Sequence, residues 1–353
     1  MTLSSIAVAT GAFTAFVIAL GLLTRWVPAR RHPGALLPDG TRVEYPMNGL
    51  AVFLVAVLGF VGLALAGVID GAWPVRNFWA LFLAANLFSV VLSAWLWATG
   101  SERGQRGLVA GFWLGSELNP TALGVDLKVF SYRPSLIGLA ILNASFAFEE
   151  LARTGSVSLA MALFQAFTFI YLLLTFQFEH GMLSMFDVIE ERFGFMLVWG
   201  DYALVPFFYC IPGWTLLTRP EPIAPWAAVA LTALFCFGYW VFRGTNEQKS
   251  RFKANPTRLI WGKAPETVGG RLLVSGFWGI GRKLNYSGEI LVYVAFAGTA
   301  GLSAPWPWLL PAWLFTLLLH RAHRDDQRCR KKYGALWEQY CARARFRMIP
   351  FVY

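Results

Sequence analysis

Two lysines four residues apart, Lys249 and Lys253 in NEQKSRFK, form the first pair whose spacing has a chemical consequence. On a helix they share a face. Two ammonium groups converging there repel each other unless an anion lies between them, although a solvated helix face tolerates the same pair. A second group lies in GFWGIGRKLNYSGE at 276–289, where Arg282 and Lys283 close a short apolar run and Asn285, Tyr286 and Glu289 follow. Polar groups at membrane depth are costly and by default functional. Trp278 either stacks on an aromatic ligand or joins an interfacial aromatic belt. No Val/Ile-rich strand precedes these glycines and no acidic ribose binder follows at the required distance, so this is not a Rossmann fingerprint.

A third group fills residues 320–341, HRAHRDDQRCRKKYGALWEQYC. On a helix, Arg321, Asp325, Cys329, Tyr333, Leu336 and Tyr340 follow at steps of three and four and make one drifting stripe. Arg321 and Asp325 can pair along it, while Arg324, Arg328 and Lys331 occupy another face. Gly334 predicts a bend or a restart. A lipid-surface helix would set an apolar stripe opposite its charges. This stripe is polar and aromatic and ends in Trp337 and Tyr340, so the helix is expected to fold back onto a polar cavity. An amphipathic cap on the headgroups is the alternative.

The elements that must position these groups belong to a membrane protein. The chain is 57% hydrophobic and only 14% charged, with 16 Trp and 30 Phe, where a soluble protein carries about 25% charged residues. Apolar runs lie near 4–23, 47–69, 78–99, 135–148, 156–178, 194–217, 223–242, 271–281, 288–303 and 304–320. A crossing needs about 20 residues. The expected fold is therefore all-α and polytopic, with about ten segments in one domain and a C-terminal helix closing a pocket. The run at 271–281 is too short to cross alone. The first run lacks a basic start and is followed by RWVPARR, so it reads as a retained span rather than a signal peptide.

Basic residues mark the cytoplasmic side. The loop 24–46 carries Arg25, Arg30, Arg31 and Arg42, and the loop 100–134 carries Arg103, Arg106, Lys128 and Arg133. Residues 243–271 hold seven Lys/Arg against two Glu, net +5, and residues 321–353 hold nine against three acids, net +6. These sum to +11 in a chain of net +10, so the remainder nets −1. This places the C-terminus in the cytoplasm, with either anionic lipid or a polyanionic small molecule as the partner of that charge. No nucleic-acid module is recognised and the basic segments are embedded in a membrane architecture, so no nucleic-acid partner is expected. Cys210, Cys236, Cys329 and Cys341 lack metal-type spacing and are expected as thiols. His32, His180, His320 and His323 do not make a tetrahedral set, so no metal is expected.

Three blocks resemble the membrane sterol reductases, the family of the Δ14-, Δ7- and Δ24(28)-sterol reductases and of the lamin B receptor membrane domain. They are GSELNPTALGVDLKVFSYRP at 115–134, FDVIEERFGFMLVWGDYALVPFFY at 186–209, and the run from NEQKSRFK through WGIGRKLNY to HRAHRDDQRCRKKYGALWEQYC and RFRMIPFVY. The resemblance spans roughly residues 111 to 353. It implies a ten-helix enzyme that reduces a sterol carbon–carbon double bond with NADPH, with substrate helices in 111–242 and the cofactor in a cytoplasm-facing pocket built by 243–353. The N-terminal helices within 1–110 add little to it. Carried onto this chain, it makes Lys249, Lys253, Trp278, Arg282, Asn285, Tyr286, Arg321, Arg324, Asp325, Lys332, Tyr333 and Tyr340 the cofactor contacts. The physical reading agrees, because NADPH carries a diphosphate and a further ribose phosphate, both of which need cationic donors.

The chemistry implied is protonation of one alkene carbon followed by hydride transfer to the cation, in a dry pocket with few nucleophiles. Tyr171 and Tyr340 are the candidate acids, with Glu179, Asp325, Asp187 and Asp201 as relay groups and Tyr209 nearby in sequence. Two positions depart from the family pattern. Arg282-Lys283 stands where Arg-His is common, and Lys253 stands where Arg is usual, which keeps phosphate binding but loses the fork. Glu117 and Asn119 belong to a cavity-lining turn or a helix cap. The substrate is expected to be a sterol or related polycyclic isoprenoid, most readily at the Δ14 bond, with Δ7, Δ24 or Δ24(28) as alternatives. Two other classes compete. One is an isoprenylcysteine-type methyltransferase using S-adenosylmethionine, which the doubled cationic pairs disfavour. The other is a non-catalytic lipid-binding scaffold. No obligate protein partner is evident. The compartment is a bacterial inner membrane or the endoplasmic reticulum, according to host.

Overall fold

The computed structural model describes residues 2–36, 41–103 and 107–353, so Arg106 lies outside the described residues. The chain divides into two compact units, Met1–Thr218 and Arg219–Tyr353.

In the first unit, α1 (Leu3–Trp26) leads to an antiparallel hairpin of β1 (Arg30–Leu36) and β2 (Arg42–Met47), and then to α2 (Gly49–Leu65). A single turn, α3 (Trp73–Arg76), precedes α4 (Phe78–Thr99). α5 (Leu108–Leu114) is followed by a minimal hairpin of β3 (Thr121–Ala122) and β4 (Val125–Asp126). Leu123 and Gly124, both at positive φ, make its turn. The helix α6 (Leu127–Thr154) is capped by Asp126, whose carboxylate accepts the Val129 amide at 3.0 Å. The cap is thus Asp126 and not Glu117 or Asn119. α7 (Leu159–Gln177) is followed by a 3₁₀ turn (Glu179–Ser184) and α8 (Phe186–Ile189). The last apolar stretch of the unit is segmented into α9 (Phe195–Trp199), a π turn (Gly200–Leu204), α10 (Val205–Phe208) and α11 (Ile211–Thr218). Pro206 and Pro212 lack the amide hydrogen that an unbroken helix needs there.

α6 is the axis of this unit. It packs against α2, α7, α10 and α11 and buries charged as well as apolar groups, among them Lys128 and Arg133. Lys128 donates to the carbonyls of Val188 and Glu191, both at 2.8 Å, and so pins the loop around α8.

In the second unit, α12 (Pro225–Ala254) precedes a short hairpin of β5 (Thr267–Val268) and β6 (Leu272–Leu273), and then the single turn α13 (Phe277–Ile280). α14 (Leu284–Gly298), α15 (Leu309–Tyr333) and α16 (Ala335–Arg343) complete it. α12 and α14 pack backbone to backbone. A Cβ at Gly288 would stand 2.6 Å from the Gly238 carbonyl oxygen, and one at Gly238 would stand 2.9 Å from that of Gly288. Small residues permit this approach where lipid offers helices no hydrophobic reason to associate.

Six helical stretches among the described residues are long and apolar enough to cross a bilayer: Leu3–Trp26, Phe78–Thr99, Leu127–Thr154, Leu159–Gln177, Phe195–Thr218 and Pro225–Ala254. This is a mostly helical membrane protein. The expected ten segments are not all of this kind. α2 has 17 residues and α14 has 15, and α15 turns charged from Arg321 onward. The run at 271–281 is no apolar helix, because Leu272 and Leu273 pair in a strand and only Phe277–Ile280 is helical.

Candidate functional site

The last turns of α12 carry Lys249 and Lys253 on one face, as their spacing requires. The Lys249 ammonium lies 4.6 Å from the ring centroid of Trp278. Two hydrogen bonds from α12 hold that ring. The Trp278 indole N–H donates to the Thr245 carbonyl at 2.9 Å, and the Phe277 amide donates to Gln248 Oε1 at 3.0 Å. Phe252, Ile260 and Leu273 pack around Trp278, which is buried. The exposed aromatic-belt reading of Trp278 therefore fails. Three more cations act on Lys249 as like charges, Lys253 of the same helix and Arg328 and Lys332 of α15.

Lys283 joins this group. Its ammonium pairs with Asp325 of α15 and lies 5.8 Å from the Tyr286 ring centroid. Burial first, then the field of Lys249, lowers its pKa from 10.5 to about 7, against the pull of Asp326. Four lysines and Arg328 thus converge at the Trp278–Asp325 region. Such a collection of positive charge is stable only with counter-charge supplied.

Arg282 is placed differently from its neighbour. It is buried, and its Nη1 donates to the carbonyls of Ala344 at 2.6 Å and Arg345 at 3.1 Å, while Nε lies 3.8 Å from Asp326. Its amide donates to the Phe346 carbonyl at 2.9 Å, and that of Lys283 to Arg347 at 2.6 Å. Ser287 Oγ donates to the Met348 carbonyl at 2.5 Å. The chain terminus is thereby strapped to the segment that carries Lys283 and Asn285. Asp326 is the electrostatic knot of the strap, with Arg347 at 3.2 Å and Arg282 and Arg330 at 3.8 Å. Sequence reasoning gave Asp326 and Arg347 no role. One signal was available: adjacent residues on a helix point about 100° apart, so Asp325 and Asp326 face different sides of α15.

The C-terminal helix does restart at Gly334, which sits at φ +53° between α15 and α16. Its stripe does fold back onto the protein, with Asp325 at the lysine cluster and the later half against a hairpin. Tyr333, Leu336 and Tyr340, with Trp337, pack against Val268, Leu272 and Val274 of the β5–β6 hairpin region. Trp337 stacks between Tyr333 at 6.3 Å and Tyr340 at 5.0 Å. Burial pushes the Tyr340 phenol above its ordinary range. The Lys332 ammonium lies 5.4 Å from the Tyr333 ring. Arg321 and Arg324 lie on α15 in the turn before Asp325.

Among the described residues of this unit, Asn285 Oδ1 and the Trp337 indole nitrogen are among the buried polar atoms with no hydrogen-bond partner. Each such orphan costs about 1–3 kcal/mol, so each invites a ligand group of the opposite kind. Cations, a fixed aromatic face and an orphan acceptor together suit an anionic ligand that also carries rings and amides. A nucleotide cofactor has those features.

The remaining candidates lie in the first unit. Tyr171 is buried on α7. Glu179 accepts from Arg133 Nη2 at 2.9 Å and from the Gly49 amide at 2.9 Å. Arg133 also donates to Thr24 at 2.8 Å, Asn48 at 2.6 Å and the Pro46 carbonyl at 3.2 Å. The sequence offered no sign of this network, whose members lie up to 155 residues apart, Thr24 to Glu179. Asp201 stands on the π turn, a feature common at functional sites. Asp187 is on α8, and Tyr209 follows α10. No group of three metal-ligating side chains occurs among the described residues.

Comparison with known proteins shows the family. The chain is 37% identical over 350 residues to a Delta(14)-sterol reductase of Arabidopsis thaliana, covering 96% of this chain and 94% of that protein. It is 33% identical to a Delta(14)-sterol reductase of Methylotuvimicrobium alcaliphilum, covering 98% and 83%. It is 38% identical to Delta(14)-sterol reductase TM7SF2 of Mus musculus, covering 93% and 81%. Residues 5–353 match the model of the ergosterol biosynthesis ERG4/ERG24 family, and the chain belongs to that family.

Proposed function

We propose that this protein reduces the Δ14 double bond of a sterol with NADPH. The observation that carries the reading is the convergence of Lys249, Lys253, Lys283, Arg328 and Lys332 beside the Trp278 ring and the orphan Asn285 Oδ1. The names of the relatives support the bond and the substrate class.

In this reading Lys249, Lys253 and Lys332, with Arg321 and Arg324, neutralise the phosphates. Trp278, Tyr286 and Tyr333 offer ring faces, and Asn285 accepts an amide hydrogen. Arg282 acts by anchoring the terminus rather than by touching the cofactor. NADPH, when bound, supplies the hydride. Tyr171 or Tyr340 delivers the proton, since a phenol carries its proton at neutral pH. Asp325 is held ready by Lys283, whereas Glu179 is locked by Arg133 and serves as a strut.

Topology follows the same reading. Counting α2, α14 and the apolar half of α15 with the six long helices gives nine crossings, with 271–281 not crossing. Nine crossings put all four basic segments and the C-terminus on the cytoplasmic side, in a bacterial inner membrane or the endoplasmic reticulum. The test is turnover of a Δ14, Δ7, Δ24 and Δ24(28) sterol panel in lipid nanodiscs with NADPH. A mass gain of two hydrogens on the Δ14 sterol alone is expected. Reduction of another sterol instead would reassign the bond.

A further inference from the structure

A cavity of about 220 Å³ opens on the side of α12 away from the lysine cluster. Its walls include Trp240, Glu247 and Arg251 of α12, Arg258 and Trp261 of the following loop, and Phe277. Glu247 and Arg251 each precede a cluster lysine by two residues, about 200° around the helix, so the charged groups of this cavity face away from the cluster, while Gln248, Phe252 and Ile260 line it and also support the Trp278 segment. The floor is aromatic. Phe277 meets Trp240 edge-on at 5.0 Å and Trp261 edge-on at 5.1 Å. The rim is apolar and open, with Trp240 55%, Trp261 58% and Leu259 62% exposed.

The rim is also cationic. Arg251 and Arg258 are both exposed at it. Glu247 pairs with Arg251 and orients it. Two guanidinium groups against one carboxylate leave a local charge of +1, which a phosphodiester matches with its single negative charge. Trp261 holds φ +50°, an uncommon conformation for a bulky residue that persists only where the surroundings enforce it. The loop is closed beneath it by paired backbone hydrogen bonds between Ile260 and Lys263, at 2.8 and 3.1 Å. Trp261 and Gly262, both at positive φ, make the two-residue turn that carries the indole at the rim. Pockets that enclose a whole drug-sized ligand run roughly 300–1,000 Å³, so this one suits a headgroup and not a sterol or a dinucleotide.

We propose that this cavity binds the phosphodiester headgroup of an anionic phospholipid. Arg251 and Arg258 hold the phosphate oxygens, and the acyl chains lie along Trp240, Leu259 and Trp261. Its place near the end of a membrane-crossing helix, in a segment of net +5, is where basic pockets recruit such lipids.

The test is native mass spectrometry of delipidated protein titrated with dioleoyl phosphatidylglycerol or dioleoyl phosphatidylcholine. Wild type should retain phosphatidylglycerol at about tenfold lower concentration, the effect of a charged hydrogen bond. The double variant Arg251→Gln/Arg258→Gln should lose that preference, and Arg219→Gln/Arg271→Gln, matched in charge, should keep it. Unchanged retention in the first variant, or equal loss in the second, overturns the proposal. Displacement of the lipid by an equal concentration of soluble glycerophosphoglycerol would show a soluble-phosphate site and overturn the lipid assignment. Thermal unfolding in nanodiscs controls for folding. In phosphatidylcholine the arginine variant should melt with wild type, and phosphatidylglycerol should raise the melting temperature of wild type only.

Discussion

The Lys249 ammonium sits 4.6 Å from the centroid of the Trp278 ring, and α12 supplies both the lysine and the carbonyl that fixes the indole. One helix therefore sets the charge and the aromatic face of the site together. The indole partly holds the lysine in place through a cation–π contact, while three further cations press on it from the surrounding face. An anion entering there relieves that repulsion.

Lys249→Ala should weaken NADPH by about 10- to 100-fold, the worth of one or two charge-assisted hydrogen bonds, while leaving NADH binding nearly unchanged. Equilibrium titration with both dinucleotides checks this. Equal loss with both would move Lys249 from the ribose phosphate to the diphosphate.

Lys283 predicts a pH dependence. The groups around it are Lys249, Arg282, Asp325, Asp326, Cys329 and Tyr286. With its pKa lowered to about 7, the side chain is cationic below that pH and neutral above it. NADPH affinity of wild type should fall relative to Lys283→Arg as pH rises through 7, since arginine stays charged. Stability runs the opposite way. The unfolded lysine titrates near 10.5, so the folded state carries a proton deficit between about 7 and 10.5 and this group's contribution to stability is gained as pH rises across that window. Binding and unfolding measured from pH 6 to 10 read both slopes.

The Arg133–Glu179 pair is buried, with side chains 3% and 6% exposed. Removing one partner strands a charge, so Arg133→Met should destabilise by about 3–5 kcal/mol. Arg133→Met/Glu179→Leu should recover much of that loss. Denaturant unfolding in detergent distinguishes the two, and a double variant as unstable as the single would show that the Thr24 and Asn48 contacts matter more than the pair.

Asp326→Asn removes the carboxylate shared by Arg282, Arg330 and Arg347. The terminal strap should loosen. Amide hydrogen exchange should accelerate at 346–348 and at Lys283, whose amide bonds to Arg347, and NADPH affinity should drop although Asp326 touches no cofactor group. Exchange confined to the last residues would limit the strap to the terminus.

What was legible in the sequence was local. The spacing of Lys249 and Lys253 placed them on one helix face, Gly334 marked the restart of the C-terminal helix, and the period of Tyr333, Leu336 and Tyr340 marked a face that folds back onto the protein. Periodicity reports which residues share a face but not what the face meets, so the stripe's hairpin partner was missed. The roles of Arg282 and Glu179 depended on contacts 62 and 46 residues distant in sequence, and no local pattern encodes those. The run at 271–281 misled because two leucines in a strand and a one-turn helix have the hydropathy of a short apolar helix.

The central claim is that the lysine cluster seats the reductant for a sterol Δ14 bond. The most direct measurement uses NADPH deuterated at the transferred C4 position, a Δ14 sterol and the protein in nanodiscs, with product analysed by mass spectrometry and NMR. Protonation at C15 gives the more substituted cation at C14, so the account predicts one deuterium, at C14, and its loss in Lys249→Ala/Lys253→Ala at subsaturating cofactor. No reduced product, or a product whose C14 hydrogen comes from solvent, would contradict it.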